Sequence, residues 1–143
     1  MKIYVDADGC PVVNETISLC KKYNKTCVLI CDTAHYFNRD GAETIVVSKG
    51  ADSVDMVLVN KLTAGDVAIT QDYGLAAMCL AKGATIINQD GLVYDGGNIL
   101  PLLNQRHTAR KIRMAGGRQK GVPKRTKQQT DKFIETLERI IKK

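Results

Sequence analysis

The chain has 143 residues, 44% apolar and 25% charged, which fits one ordinary globular domain with a core of its own. No apolar run approaches the length of a membrane-spanning helix. No signal-peptide-like start is present either, because Lys2 leads directly into a strand-like segment and Asp6. A cytoplasmic protein without membrane association is therefore expected. The formal net charge of +6 is unevenly spread. Residues 1–105 carry 8 Lys+Arg against 12 Asp+Glu, a net of −4, whereas residues 106–143 carry 13 against 3, a net of +10. An acidic body followed by a basic tail points to a polyanionic partner, above all nucleic acid; a solvated lysine-rich helix is the plainer explanation.

In chain order, KIYVD (2–6) has the pattern of a buried strand. Pro11 suits the first turn of a helix expected from about Val12 to Tyr23, with Val13, Ile17 and Cys20 at helical spacing. TCVLIC (26–31) and ETIVV (43–47) are the next strands, separated by a long loop, DTAHYFNRDG. A helix opens between Ser48 and Asp52, places Val54, Val57, Leu58 and Leu62 on one face, and closes at Gly65. DVAIT (66–70) is a strand, YGLAAMCLAK a helix capped by Gly83, and ATIIN (84–88) a further strand. GLVYDGG (91–97) forms a turn or small hairpin before a basic amphipathic helix beginning at ILPLLNQRHTARKIRMA. The segment from Ala115 to Gln129 contains a glycine pair, a further glycine, a proline and several cations, which favours flexibility. The last helix carries Phe133, Leu137, Ile140 and Ile141 on one stripe and must dock to stay ordered. Alternating strands and helices predict an α/β protein, a three-layer α/β/α arrangement around a central, mainly parallel sheet. The whole chain, 1–143, is expected to form a single domain, with a basic helical extension from about 106–143.

Five cysteines (Cys10, Cys20, Cys27, Cys31, Cys79) form no CxxC pair, so they are expected to be reduced and mostly to act as small core residues. The aspartates carry the chemistry. Asp6 and Asp8 in VDADGCP, Asp52 and Asp55 in GADSVD, and Asp72 in TQDYG all fall where strands end or helices start. Such positions converge at the carboxyl edge of a parallel sheet, where open α/β proteins bind ligands. Carboxylates grouped in this way suit a hard divalent cation. The pairs Asp6/Asp8 and Asp52/Asp55, together with Asp72, could bridge two such cations, and all five aspartates are candidate catalytic residues. Each also has a purely structural reading, since aspartate is a favoured helix N-cap. Thr70, two residues before Asp72, is a candidate to bond a substrate phosphate oxygen or a metal-bound water. Arg106, His107, Arg110, Lys111 and Arg113 lie together on the basic helix as candidate phosphate contacts. His35, Tyr36 and Phe37 are either base-stacking residues or loop packing.

DADGCP (6–11), GADSVD (50–55) and TQDYGLA (70–76), followed by KGA (82–84), resemble the bacterial YaiI/YqxD family, which is grouped with PIN-like nuclease folds. The resemblance covers nearly the whole chain. It implies a PIN-like α/β/α fold and one or two Mg²⁺ or Mn²⁺ ions held by acids for RNA cleavage. By position those acids match Asp6, Asp52 or Asp55, and Asp72. The glutamate that PIN nucleases place between the first two acids has no clear counterpart, Glu15 and Glu43 being poor fits, and Asp8 is an additional acid. The leading expectation is a metal-dependent ribonuclease. The alternatives are a non-catalytic RNA-binding module on a degenerate PIN-like fold, and an aspartyl phosphatase. The last follows from the likeness of D-x-D-G to the haloacid-dehalogenase motif, with Asp6 as nucleophile and Asp8 as acid/base.

Overall fold

Strands covered on both faces need apolar residues at successive positions, because neither face meets water. The chain supplies such runs in β1 (Lys2–Asp6), β2 (Thr26–Asp32), β4 (Val67–Ile69) and β5 (Thr85–Ile87), with β3 (Glu43–Val47) more exposed. In the computed structural model these form one all-parallel sheet in the order β3-β2-β1-β4-β5. The structure describes residues 1–32, 39–48, 53–114 and 124–143, with side chains described except at 53 and 106–114. The helices are α1 (Val13–Lys22), α2 (Ser53–Lys61), α3 (Tyr73–Leu80), α4 (Gly96–Met114) and α5 (Lys127–Ile141).

Alternate strand residues feed two cores. Ile3, Val5, Cys27, Leu29, Cys31, Val67, Ile69 and Ile87 face α1 and α5, whereas Tyr4, Val28, Ile30, Ala68 and Ile86 face α2, α3 and the start of α4. The period-two alternation of side chains in a strand therefore separates two helical layers, and the three-layer α/β/α expectation holds. The stripe on α5 reaches the first core, with Phe133 and Leu137 fully buried and Ile141 nearly so. Lys22 and Tyr23 at the end of α1 both donate to Glu138 on α5, at 3.0 Å each.

The start of α4 differs from expectation. It begins at Gly96, before the apolar run, because Asp95 accepts from the backbone N–H groups of Gly97 and Asn98. An acceptor at this position satisfies first-turn donors that would otherwise be left to solvent. At the other end of the basic segment, Arg125 donates to the carboxylate of Asp90 and to the carbonyl of Gln89. Thr126 and Gln129 then form a reciprocal capping box that starts α5. Gly91 permits this docking: its φ is +83°, and a Cβ there would lie 2.8 Å from the Lys132 carbonyl oxygen.

Candidate functional site

The strand order dictates where a site belongs. From β1 the chain builds outward through β2 and β3, then returns to place β4 on the other side of β1. The switch point therefore lies between the carboxyl ends of β1 and β4, the position where such sheets open a crevice. Val5 is in register with Ile69, so the next residues, Asp6 and Thr70, stand side by side at that edge. By alternation both point to the α2/α3 face. Thr70 Oγ1 donates to Asp6 Oδ2 at 2.8 Å and accepts from the Asp72 N–H at 3.0 Å. Asp72 caps α3, its Oδ1 accepting from Gly74 N at 2.8 Å and Leu75 N at 3.1 Å. One hydroxyl thus links the acid ending β1 to the acid beginning α3.

Two further contacts join the edge loops. Asp8 Oδ2 accepts from the Asp32 N–H at the end of β2, at 3.2 Å, and Gln71 Nε2 donates to the Gly9 carbonyl at 3.0 Å. The resulting open cleft has a volume of about 620 Å³ and is lined by Asp6, Asp8, Gly9, Gln71, Asp72 and Tyr73. No cation stands among those lining residues. Burial pushes the Asp6 carboxyl up to about 6 against the lowering effect of the Thr70 hydrogen bond, and the negative charges of Asp55, Asp72 and Asp8 push it further. Electrostatically, then, four of the five predicted acids meet at Asp6.

Asp52 lies outside the described residues. The side chains of Arg106, His107, Arg110, Lys111 and Arg113 lie outside them too, as do His35, Tyr36 and Phe37. Among the described residues no three His, Cys, Asp or Glu side chains form a group able to hold a metal ion. The donors in the cleft nevertheless suit Mg²⁺ or Mn²⁺ chemically, being carboxylate oxygens with a local excess of negative charge. Mg²⁺ in particular is commonly held by one or two carboxylates, completed by water and substrate phosphate.

Thr70 is 1% exposed, and its hydroxyl is engaged with both Asp6 and the Asp72 backbone. Gln71 and Tyr73 were missed as lining residues. Their signal was adjacency to Asp72 in TQDYG: the residues just before and just after an N-cap flank whatever the cap faces. The five cysteines are free, four of them buried. Burial pushes the Cys10 thiol up to about 11, which leaves it protonated and a poor nucleophile or metal ligand near neutral pH.

A profile described as "Uncharacterized BCR, YaiI/YqxD family" matches residues 4–143. The chain belongs to the YaiI/YqxD family. UPF0178 proteins of Exiguobacterium sibiricum and Ruminiclostridium cellulolyticum are 50% and 46% identical to it, over 141 and 142 residues. Those alignments cover 99% of this chain, with 96% and 93% of the respective relatives. A UPF0178 protein of Clostridium acetobutylicum is 43% identical over 143 residues, 97% of its own length. No solved structure matches the chain. The segments DADGCP and TQDYGLA build the walls of the cleft, one at the end of β1 and one after β4. No helix among the described residues is long and apolar enough to cross a membrane.

Proposed function

We propose that this protein is a divalent-metal-dependent nuclease that hydrolyses phosphodiester bonds in RNA. The observation carrying the reading is the convergence of Asp6, Asp8 and Asp72 on one open cleft at the topological switch point of the sheet. Mg²⁺ or Mn²⁺ would be held by Asp6 and Asp72, with Asp55 from the first turn of α2 and Asp52 as further acids. When bound, such an ion supplies Lewis-acid stabilisation at phosphorus and a water nucleophile at neutral pH.

The chain's own residues prepare the cleft for that ion. Thr70 holds one oxygen of Asp6, and the first turn of α3 holds one oxygen of Asp72. Neither carboxylate must be reoriented at the moment of binding, which lowers the ordering cost. Asp8 and Gln71 tie the β1 loop to its neighbours and keep the cleft walls in place. Arg106, His107, Arg110 and Arg113 are proposed as contacts to substrate phosphates, because an acidic cleft alone would repel a polyanion. Arg125, a further cation, donates to Gln89 and Asp90, just beyond β5 at the same edge of the sheet.

The test is a calorimetric Mn²⁺ titration of the wild type and of Asp6→Asn/Asp72→Asn, followed by an RNA cleavage assay. Metal binding and Mn²⁺-dependent cleavage that both vanish in the double variant are expected. Salt-sensitive RNA binding without cleavage under either metal would overturn the nuclease reading in favour of a non-catalytic RNA-binding module.

A further inference from the structure

Tyr73 lines the same cleft as Asp6, Asp8 and Asp72, yet metal-assisted hydrolysis has no use for a phenol there. Its surroundings fix the ring. Asp72 caps the turn on which Tyr73 stands, and Tyr94 meets the ring edge-on, with centroids 6.1 Å apart and planes at 71°. Tyr94 is itself 2% exposed, and its hydroxyl donates to the Thr70 carbonyl at 3.3 Å. The aromatic pair is thereby anchored to the residue that links Asp6 and Asp72. Tyr73 packs against the second core but is only partly buried, and it lines a cleft of about 620 Å³, within the range of small-ligand sites.

We propose that Tyr73 is a stacking platform for one unpaired nucleobase of a single-stranded nucleic acid, setting the adjoining phosphate over Asp6, Asp8 and Asp72. The proposal rests on the cleft being a nucleic-acid site, and it adds a substrate class to that reading. An aromatic ring held by its neighbours loses little freedom when a base stacks on it, and it accepts any base because every base has a π-face. A base inside a duplex is already stacked on both sides, so the same ring has nothing to offer it. Tyr73 thereby favours single strands over duplexes, with little preference among bases.

The experiment measures fluorescence anisotropy of a short labelled oligouridylate, and of its duplex with oligoadenylate, in buffer containing Ca²⁺. The proteins are the wild type, Tyr73→Phe, Tyr73→Leu and Tyr73→Ala, with thermal melts to confirm folding. Leucine keeps apolar bulk against Tyr94 and removes the planar face, so it separates stacking from core packing. Tyr73→Phe should bind the single strand within about twofold of wild type, while the Leu and Ala variants lose roughly 5- to 100-fold. Duplex binding should not change. Unaltered single-strand affinity in Tyr73→Leu would overturn the proposal, as would a wild type that prefers duplex or binds no oligouridylate. The two readings separate in a parallel Mn²⁺ cleavage assay. Cleavage with unaltered binding in Tyr73→Leu keeps the nuclease and removes the platform. Tyr73-dependent binding with no cleavage keeps the platform and removes the nuclease.

Discussion

Asp6 and Asp66 are both aspartates at ends of adjacent strands, and their surroundings push them in opposite directions. The folded-state pKa of Asp6 is about 6, above its ordinary 3.8. Its charge therefore destabilises the metal-free fold above about pH 6, and that penalty fades as pH falls from about 6 towards 4. Asp6→Asn should raise metal-free stability at pH 7 by about 1–2 kcal/mol and remove this pH dependence, as read by thermal melts across that range. A divalent ion competes with the same proton, so Mn²⁺ affinity should fall below about pH 6. Asp66, 7% exposed at the start of β4, is the counterpart. Burial alone would raise its pKa, but hydrogen bonds from the Lys2 N–H and from the Thr63 hydroxyl and N–H hold it below the usual range. A depressed folded pKa contributes stability above the unfolded value, lost as pH falls through the folded one. Asp66→Ala should cost about 1–3 kcal/mol at pH 7 in urea unfolding, because it strips acceptors from donors at the sheet's amino edge.

At the scale of elements, α5 decides the most. A helix this polar on its outer side gains its stability from the buried stripe and not from propensity. Phe133, Leu137 and Ile141 supply that stripe. Its N-terminal end is held by Arg125 and by the close approach at Gly91. Gly91→Ala should therefore destabilise by more than about 1 kcal/mol in urea unfolding, since it combines a positive φ with a Cβ pressed against the Lys132 carbonyl. The existence of α5 was legible from the spacing of its apolar residues. Its destination was not, because an amphipathic stripe says that a helix docks without saying on which layer. The early start of α4 was missed for a local reason: two glycines argue against a helix, and the Asp95 side chain that offsets them acts across the boundary.

At the scale of the whole molecule, acids and cations are divided between two parts of the chain. Asp6, Asp8 and Asp72 gather at one switch point, while residues 106–143 carry a net charge of +10. RNA affinity should fall steeply with salt, and the triple variant Arg106→Gln/Arg110→Gln/Arg113→Gln should flatten the log–log slope by about 2. An unchanged slope would show that these cations do not meet phosphates.

The sequence by itself determined the strands, the α/β class and the identity of the acids. Buried runs such as KIYVD and TCVLIC, and aspartates at their ends, are local patterns readable residue by residue. Only the tertiary structure decided which acids are neighbours. A strand that is apolar on both faces carries no mark of which strand it will pair with, so the pairing of β1 with β4 could not be read from either segment. That pairing places Thr70 against Asp6 and turns an ordinary threonine into the link between two carboxylates. It also brings Tyr73 to the cleft, because the residue after a cap goes wherever the strand before it ends.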